Sequence, residues 1–105
     1  MHITPAELKK WKEENHPHML IDIRERYEIE QCTIGGTPIP MESILSHCQE
    51  FPKDRSIVIH CNSGKRSDAA TYAIRQHTNR NDVFSLDGGI QQYASLFEPE
   101  MTCAS

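Results

Sequence analysis

Apolar residues in this chain occur in two arrangements, as short unbroken runs and as longer stretches in which they recur every three or four positions. Unbroken runs are typical of strands covered on both faces of a parallel sheet, whereas the wider spacing is typical of amphipathic helices. The runs predict strands over residues 19–23, 57–59 and 83–86, with a short extended piece near Ile39. The spaced stretches predict helices over 4–14, 25–31, 42–49, 67–77 and 90–97.

Two of these helices allow more detailed expectations. In the first, Thr4 is a suitable N-cap and Glu7 completes a capping box. The chain should therefore enter this helix directly from its first residues. The third helix should bury Ile44, Leu45 and Cys48 on its apolar side.

Strands that alternate with helices predict a parallel sheet with helices on both faces. A chain of 105 residues is long enough for one such domain. We therefore assign residues 1–105 to a single domain and expect residues 98–105 to form a loose tail. Ligands of open α/β sheets bind at the carboxyl ends of the strands, so the loops that follow the strands are the candidate sites.

The stretch over residues 56–67 joins a buried strand to a helix start through a loop that Cys61 opens. A helix N-terminus presents unpaired N–H groups and a partial positive charge. Gly64 suits a backbone angle that a Cβ would forbid, so the loop amides can turn inward as an anion-binding nest. Lys65 and Arg66 add full positive charge, and these features together favour a reactive thiolate at Cys61. The alternative is a small buried cysteine in a turn.

Three motifs resemble those of one known family. The segment Cys61-Asn62-Ser63-Gly64-Lys65-Arg66-Ser67 resembles the active-site loop of the rhodanese (thiosulfate sulfurtransferase) family, Cys-x-x-Gly-x-Arg-Ser/Thr. Residues 20–25 resemble the family's strand that ends in Asp-x-Arg, and residues 86–90 resemble its Leu-x-Gly-Gly turn before the last helix. Cys32 and Thr33 replace the glycine and histidine of the commonest pattern. In this respect the chain is more like rhodanese domains appended to adenylating enzymes, which hints at protein-borne sulfur delivery.

The resemblance implies a three-layer α/β/α fold, with a central, mainly parallel sheet of about five short strands flanked by helices. It also implies a sulfurtransferase in which the Cys61 thiolate is the catalytic nucleophile. Cys61 would take a sulfane sulfur from thiosulfate or a persulfide donor and hold it as a persulfide. It would then pass the sulfur to a thiophilic acceptor, which is cyanide in vitro and a thiol or protein in the cell.

The same resemblance assigns roles to the residues around Cys61. The persulfide and the small anionic donor would be bound by Asn62, Ser63, Gly64, Lys65, Arg66 and Ser67. Asp22 and Arg24 would support this loop, although an ordinary strand-end ion pair is an alternative for these two residues. No metal and no organic cofactor are expected, because the covalent cysteine persulfide carries the chemistry.

Composition narrows the possible partners and location. With 11 basic and 15 acidic residues the net charge is −4, which gives no general attraction to nucleic acid or to an anionic membrane. The sequence shows no apolar run of membrane-spanning length, no signal peptide and no Cys-x-x-Cys pair, so we expect a cytoplasmic protein. Its six histidines lack the spacing of zinc ligands. A redox role for Cys32, Cys48 or Cys103 is left open, as is the oligomeric state.

Two other functions are compatible with parts of the pattern. Cysteine phosphatases and arsenate reductases of a related fold also use His-Cys, a glycine-containing loop, arginine and Ser/Thr. They place one residue more between cysteine and arginine than the four, residues 62–65, that stand between Cys61 and Arg66 here. The second alternative is a persulfide carrier or interaction module with little turnover.

Overall fold

The computed structural model describes residues 1–98, over which strands and helices alternate along the chain. The strands are β1 (His2–Ile3), β2 (His18–Asp22), β3 (Thr37–Pro38), β4 (Ser56–His60) and β5 (Val83–Leu86). The helices are α1 (Pro5–Glu13), α2 (Arg26–Gln31), α3 (Ile44–His47), α4 (Lys65–Thr78) and α5 (Gly89–Phe97), and short 3-10 turns over Met41–Ser43 and Cys48–Glu50 flank α3. The predicted tail from residue 99 onward, with Cys103, lies outside the described residues.

The strands form one sheet in the order β1-β5-β4-β2-β3, and every pairing is parallel. This arrangement confirms the predicted α/β/α class with a central parallel sheet. Strand β4 lies at the centre, between β5 and β2, so the loop that follows β4 opens in the middle of the carboxyl edge of the sheet.

Strand β1 was not predicted. The expectation that the chain enters its first helix directly is wrong, because His2 and Ile3 first pair with Ser85 and Leu86 of β5. A strand of two residues at a sheet edge is too short to produce any periodic signal in the sequence. The capping box that follows is confirmed, since Thr4 and Glu7 exchange backbone-to-side-chain hydrogen bonds of 2.9 and 3.1 Å.

Successive residues of β4 face opposite sides of the sheet, which explains the run of branched apolar residues in this strand. Ile57 and Ile59 belong to an apolar cluster with residues of α3 and α4, whereas Val58 belongs to a second cluster with residues of α1 and α5. Both sides of the sheet are therefore covered, as the sequence predicts.

The segment around α3 differs from the single predicted helix. Ile44 and Cys48 are buried, as expected, but Leu45 is 41% exposed, so its predicted burial is wrong. The segment passes from a 3-10 turn into one α turn and back into a 3-10 turn. Since a 3-10 turn rotates the chain further per residue than an α-helix does, apolar spacing read as α-helical assigns Leu45 to the wrong face.

Within residues 1–98, no helix has both the length and the apolar character needed to cross a lipid bilayer.

Candidate active site at the carboxyl edge of the sheet

Cys61 follows β4 directly, and its sulfur receives two backbone hydrogen bonds from the residues that follow it. The Sγ atom accepts the backbone N–H of Gly64 at 3.1 Å and that of Ser67 at 3.4 Å. The residue is only 1% exposed. Gly64 has a φ of +108° and is the N-cap of α4, so the left-handed glycine turns the chain back over the sulfur. The loop therefore presents backbone donors to the sulfur before any ligand arrives.

The N-terminus of α5 holds the Cys61 loop from the other side. Ile90 N–H donates to the Cys61 carbonyl at 2.9 Å, and Gln91 N–H donates to the Asn62 carbonyl at 3.1 Å. A Cβ on Gly89 would lie 2.4 Å from the Asn62 oxygen, so only glycine allows this approach. The Leu-x-Gly-Gly segment, which sequence reasoning treated as a turn, thus fixes the backbone on which the cysteine stands.

Arg66 points to a carboxylate that the sequence did not reveal. Its guanidinium donates to both oxygens of Glu28 in α2, at 2.9 and 2.8 Å, with the Arg66 side chain 37% exposed. The hydrogen bonds from Arg66 lower the pKa of the Glu28 carboxyl, and the same contact raises the pKa of Arg66. Glu28 therefore balances the positive charge of Arg66. Sequence reasoning had assigned that charge to the binding of an anionic sulfur donor.

The remaining predicted loop residues occupy more open positions. Lys65 and Ser63 are exposed and Asn62 is half-buried. Lys65 is the first residue of α4, and together with Ser63 it forms the exposed rim of the loop.

Asp22 and Arg24 form a buried ion pair beside the candidate site. The pair is 2.8 Å apart, and Arg24 also donates to the Cys32 carbonyl at 2.8 Å. Asp22 Oδ2 lies 3.4 Å from Nε2 of His60, the residue before Cys61. The pair fixes the end of β2 and the segment after α2, and it approaches the Cys61 loop through His60. Its support of that loop stays a prediction.

His60 is fully buried, and burial lowers its pKa to about 4. The imidazole is therefore neutral at physiological pH. Its Nδ1 lies 3.4 Å from the Cys61 carbonyl and its Nε2 lies 3.4 Å from Asp22 Oδ2, so neither of these contacts is to the sulfur.

A row of polar side chains leads away from Cys61. The Cys61 thiol lies 3.6 Å from Ser67 Oγ, which is 2.8 Å from Ser85 Oγ in β5. Ser85 donates to Asp68 Oδ1 at 2.6 Å, and that oxygen lies 3.1 Å from His2 Nε2. Sequence reasoning named Ser67 alone, because three separate elements supply the other members.

The other cysteines have different surroundings. Cys48 is free and buried, and burial raises the pKa of its thiol. Cys32 is buried and disulfide-bonded. In the part of the chain that the structure describes, no group of three or more His, Cys, Asp and Glu residues is placed to bind a metal ion.

Comparisons with known proteins identify relatives of this chain. A family model described as Rhodanese-like domain matches residues 4–96. A sulfurtransferase of Allochromatium vinosum is 42% identical over 78 residues, which are 72% of this chain and 71% of that protein. The probable adenylyltransferase/sulfurtransferase MoeZ of Mycobacterium tuberculosis is 31% identical over 102 residues, which cover 94% of this chain. The chain spans only 26% of the length of MoeZ.

Solved structures show the same fold. The crystal structure of a rhodanese-like domain protein from Staphylococcus aureus matches with a TM-score of 0.76 at 26% identity. The match covers 89% of this chain and 91% of that chain.

Proposed function

The chain belongs to the rhodanese-like domain family, and on that premise we propose that it is a sulfurtransferase with Cys61 as its nucleophile. The observation that carries the proposal is the pair of amides, from Gly64 and Ser67, that point at Sγ. Such donors stabilise a negatively charged sulfur in the way that an oxyanion hole stabilises an oxygen.

The proposed reaction has two half-reactions joined by a covalent intermediate. The Cys61 thiolate attacks the sulfane sulfur of thiosulfate or of a persulfide donor. A bond forms between Sγ and that sulfur, while sulfite or the donor thiolate leaves with the electron pair of the broken bond. An acceptor then attacks the outer sulfur of the persulfide and releases the Cys61 thiolate. The acceptor is cyanide in vitro and a thiol or a protein in the cell.

In this proposal the sulfur donor binds at the rim of the loop. Lys65 lies there exposed, and Arg66 can join it when an anion competes with Glu28 for the guanidinium. No metal or organic cofactor takes part in the proposed scheme. A protein acceptor is suggested by MoeZ, whose name couples sulfur transfer to adenylyl transfer.

Intact-mass measurement after incubation with thiosulfate and gel filtration tests the proposal. We expect the wild type to gain the mass of one sulfur atom, Cys61→Ser to gain none, and Cys48→Ser to behave as the wild type. Cys48 is the matched control because it is also free and buried, but lacks the amide donors reported for Cys61. Sulfur retained by Cys61→Ser would place the chemistry elsewhere.

The phosphatase alternative is tested in parallel. The short loop and the pairing of Arg66 with Glu28 make a cradle suited to a single sulfur and not to a tetrahedral phosphate. Hydrolysis of p-nitrophenyl phosphate by the wild type that disappears in Cys61→Ser would favour the phosphatase and overturn the sulfurtransferase.

A further inference from the structure

The row of polar side chains beside Cys61 connects a buried thiol to the protein surface. We propose that Ser67, Ser85 and Asp68 form a proton path that carries the thiol proton of Cys61 outward to His2. The proposal rests on the proposed role of Cys61 as a nucleophile, since only the thiolate attacks a sulfane sulfur.

The surroundings of the sulfur limit where its proton can go. Cys61 is 1% exposed, and the backbone groups of Gly64 and Ser67 that contact Sγ are N–H donors, which cannot accept a proton. The Ser67 hydroxyl, 3.6 Å away, can accept it. The first step of the path is therefore fixed by the chemistry of the contacts that the sulfur makes.

The hydroxyls beyond Ser67 are oriented for onward transfer. Asp68 is acceptor-only when ionised, so Ser85 donates to it at 2.6 Å. With its own proton committed, Ser85 accepts the hydroxyl proton of Ser67 at 2.8 Å when the Ser67 hydroxyl rotates away from the Gly64 carbonyl, to which it otherwise donates at 3.1 Å. Ser67 Oγ in turn accepts from the thiol. In that rotamer every hydrogen bond between Sγ and the carboxylate runs in the same direction, which is the arrangement that proton transfer along a chain of hydroxyls requires.

Solvent exposure increases along the path, from the two serines to Asp68 and His2. Ser67 and Ser85 are 0% exposed, whereas the side chains of Asp68 and His2 are 51% and 46% exposed. Asp68 and His2 form the outer end, where solvent or a buffer base removes the proton.

The transfer balances without any other reactant. The S–H bond of Cys61 breaks and its proton binds Ser67 Oγ, whose own proton moves to Ser85 Oγ. The Ser85 proton moves to Asp68 Oδ1, which passes it to His2 Nε2 or to water. Cys61 is left as a thiolate, and the Ser67 hydroxyl can now donate to it.

The charged groups near this path are few among the described residues. Asp68 and His2 lie at its outer end, and Arg66, paired with Glu28, is the cation beside Cys61. Arg66 attracts the negative charge that remains on the sulfur, whereas Asp68, a like charge, repels it, so the part of Asp68 is to accept the departing proton.

Stopped-flow absorbance at 240 nm after a jump from pH 5 to pH 9 measures thiolate formation, with Cys61→Ser subtracted as background. We expect Ser85→Ala to form the thiolate at least about tenfold more slowly than the wild type. Ser85→Thr, which keeps the hydroxyl, should restore the rate to within about twofold. Thr71→Val is the matched control, because Thr71 also carries a buried hydroxyl on α4, and that hydroxyl has no hydrogen-bond partner within residues 1–98.

Asp68→Asn keeps the size and a hydrogen bond to Ser85 but cannot accept a proton, and its exposed position guards against unfolding. It should also slow thiolate formation at least about tenfold. A wild-type rate in Asp68→Asn, or an equal loss in Thr71→Val, overturns the path. Thiolate formation needs no sulfur donor, so a wild type that forms the thiolate but takes up no sulfur contradicts the proposed function and not the path.

Discussion

Replacing Gly89 with alanine tests whether α5 positions Cys61, the proposed nucleophile. The added Cβ would lie 2.4 Å from the Asn62 oxygen and 2.6 Å from the Cys61 oxygen, both of which are backbone atoms. Reaching an ordinary contact of 3.4 Å requires the loop and the helix to separate by about 1 Å. The hydrogen bonds from Ile90 and Gln91 to those same carbonyls must lengthen as the two segments part.

The cost in stability follows from two contributions. Gly89 has a φ of +60°, and a left-handed conformation costs an alanine about 1–2 kcal/mol. Two weakened hydrogen bonds contribute about 0.5–1.5 kcal/mol each. We therefore expect Gly89→Ala to lower the free energy of unfolding by about 2–5 kcal/mol. A displacement of about 1 Å at a reacting group costs about 100-fold in rate, so sulfur loading should fall further than folding does.

Gly35→Ala is the matched control, because Gly35 has a φ of +92° but no atom within 4 Å of its added Cβ. Gly35→Ala therefore has the free-energy cost of a left-handed alanine but no steric clash of the added Cβ. Urea unfolding and single-turnover sulfur loading should be measured for both variants under conditions in which each is folded. If Gly89→Ala loads sulfur within about twofold of Gly35→Ala, the role given to α5 is refuted.

The remaining predictions concern the nucleophile, the charge beside it and the buried histidine. Cys61→Ser should abolish cyanide-dependent thiocyanate formation while its urea midpoint stays near that of the wild type; residual turnover would contradict the assignment. Glu28→Gln should raise kcat/KM for thiosulfate by about three- to tenfold, because it frees Arg66 for the anion. Glu30→Gln, in an exposed pair on the same helix, should leave it unchanged, and equal effects in both variants would contradict this reasoning. Burial holds the pKa of His60 at about 4 in the folded state, against 6.5 in the unfolded chain. The unfolded state then binds more protons between pH 4 and 6.5, so urea unfolding should show stability falling by about 3 kcal/mol as the pH drops through that window. His60→Asn should flatten the curve, and an unchanged slope would show that other groups cause it.

The central site was predictable because its parts are contiguous in sequence. A strand, a cysteine, a glycine and a helix start all occur within residues 56–67, so local rules placed Cys61 at the carboxyl edge of the sheet. Gly64 could be assigned its left-handed turn in the same way, since the loop must reverse direction over very few residues.

The contacts that sequence reasoning missed all bridge distant elements. Glu28 and Arg66 are 38 positions apart, and Ser67 and Ser85 are 18 apart. No periodicity links such pairs, because they meet only after α2 and β5 have packed beside the loop. Arg66 illustrates the consequence of missing such contacts. Its place in the Cys61 loop was predicted, but its ion pair with Glu28 was not.

The burial of Cys61 bears on how sulfur could leave the site. Sγ lies against an apolar cluster on one side and faces backbone donors on the other, so the thiolate itself is out of reach of a large acceptor. In the proposed persulfide the outer sulfur stands about 2.05 Å from Sγ, the length of an S–S bond. A protein acceptor then needs to approach only the loop rim, where Ser63 and Lys65 are exposed. In the proposed mechanism the burial of Sγ is thus compatible with transfer, because the atom that is passed on is the outer sulfur of the persulfide and not Sγ.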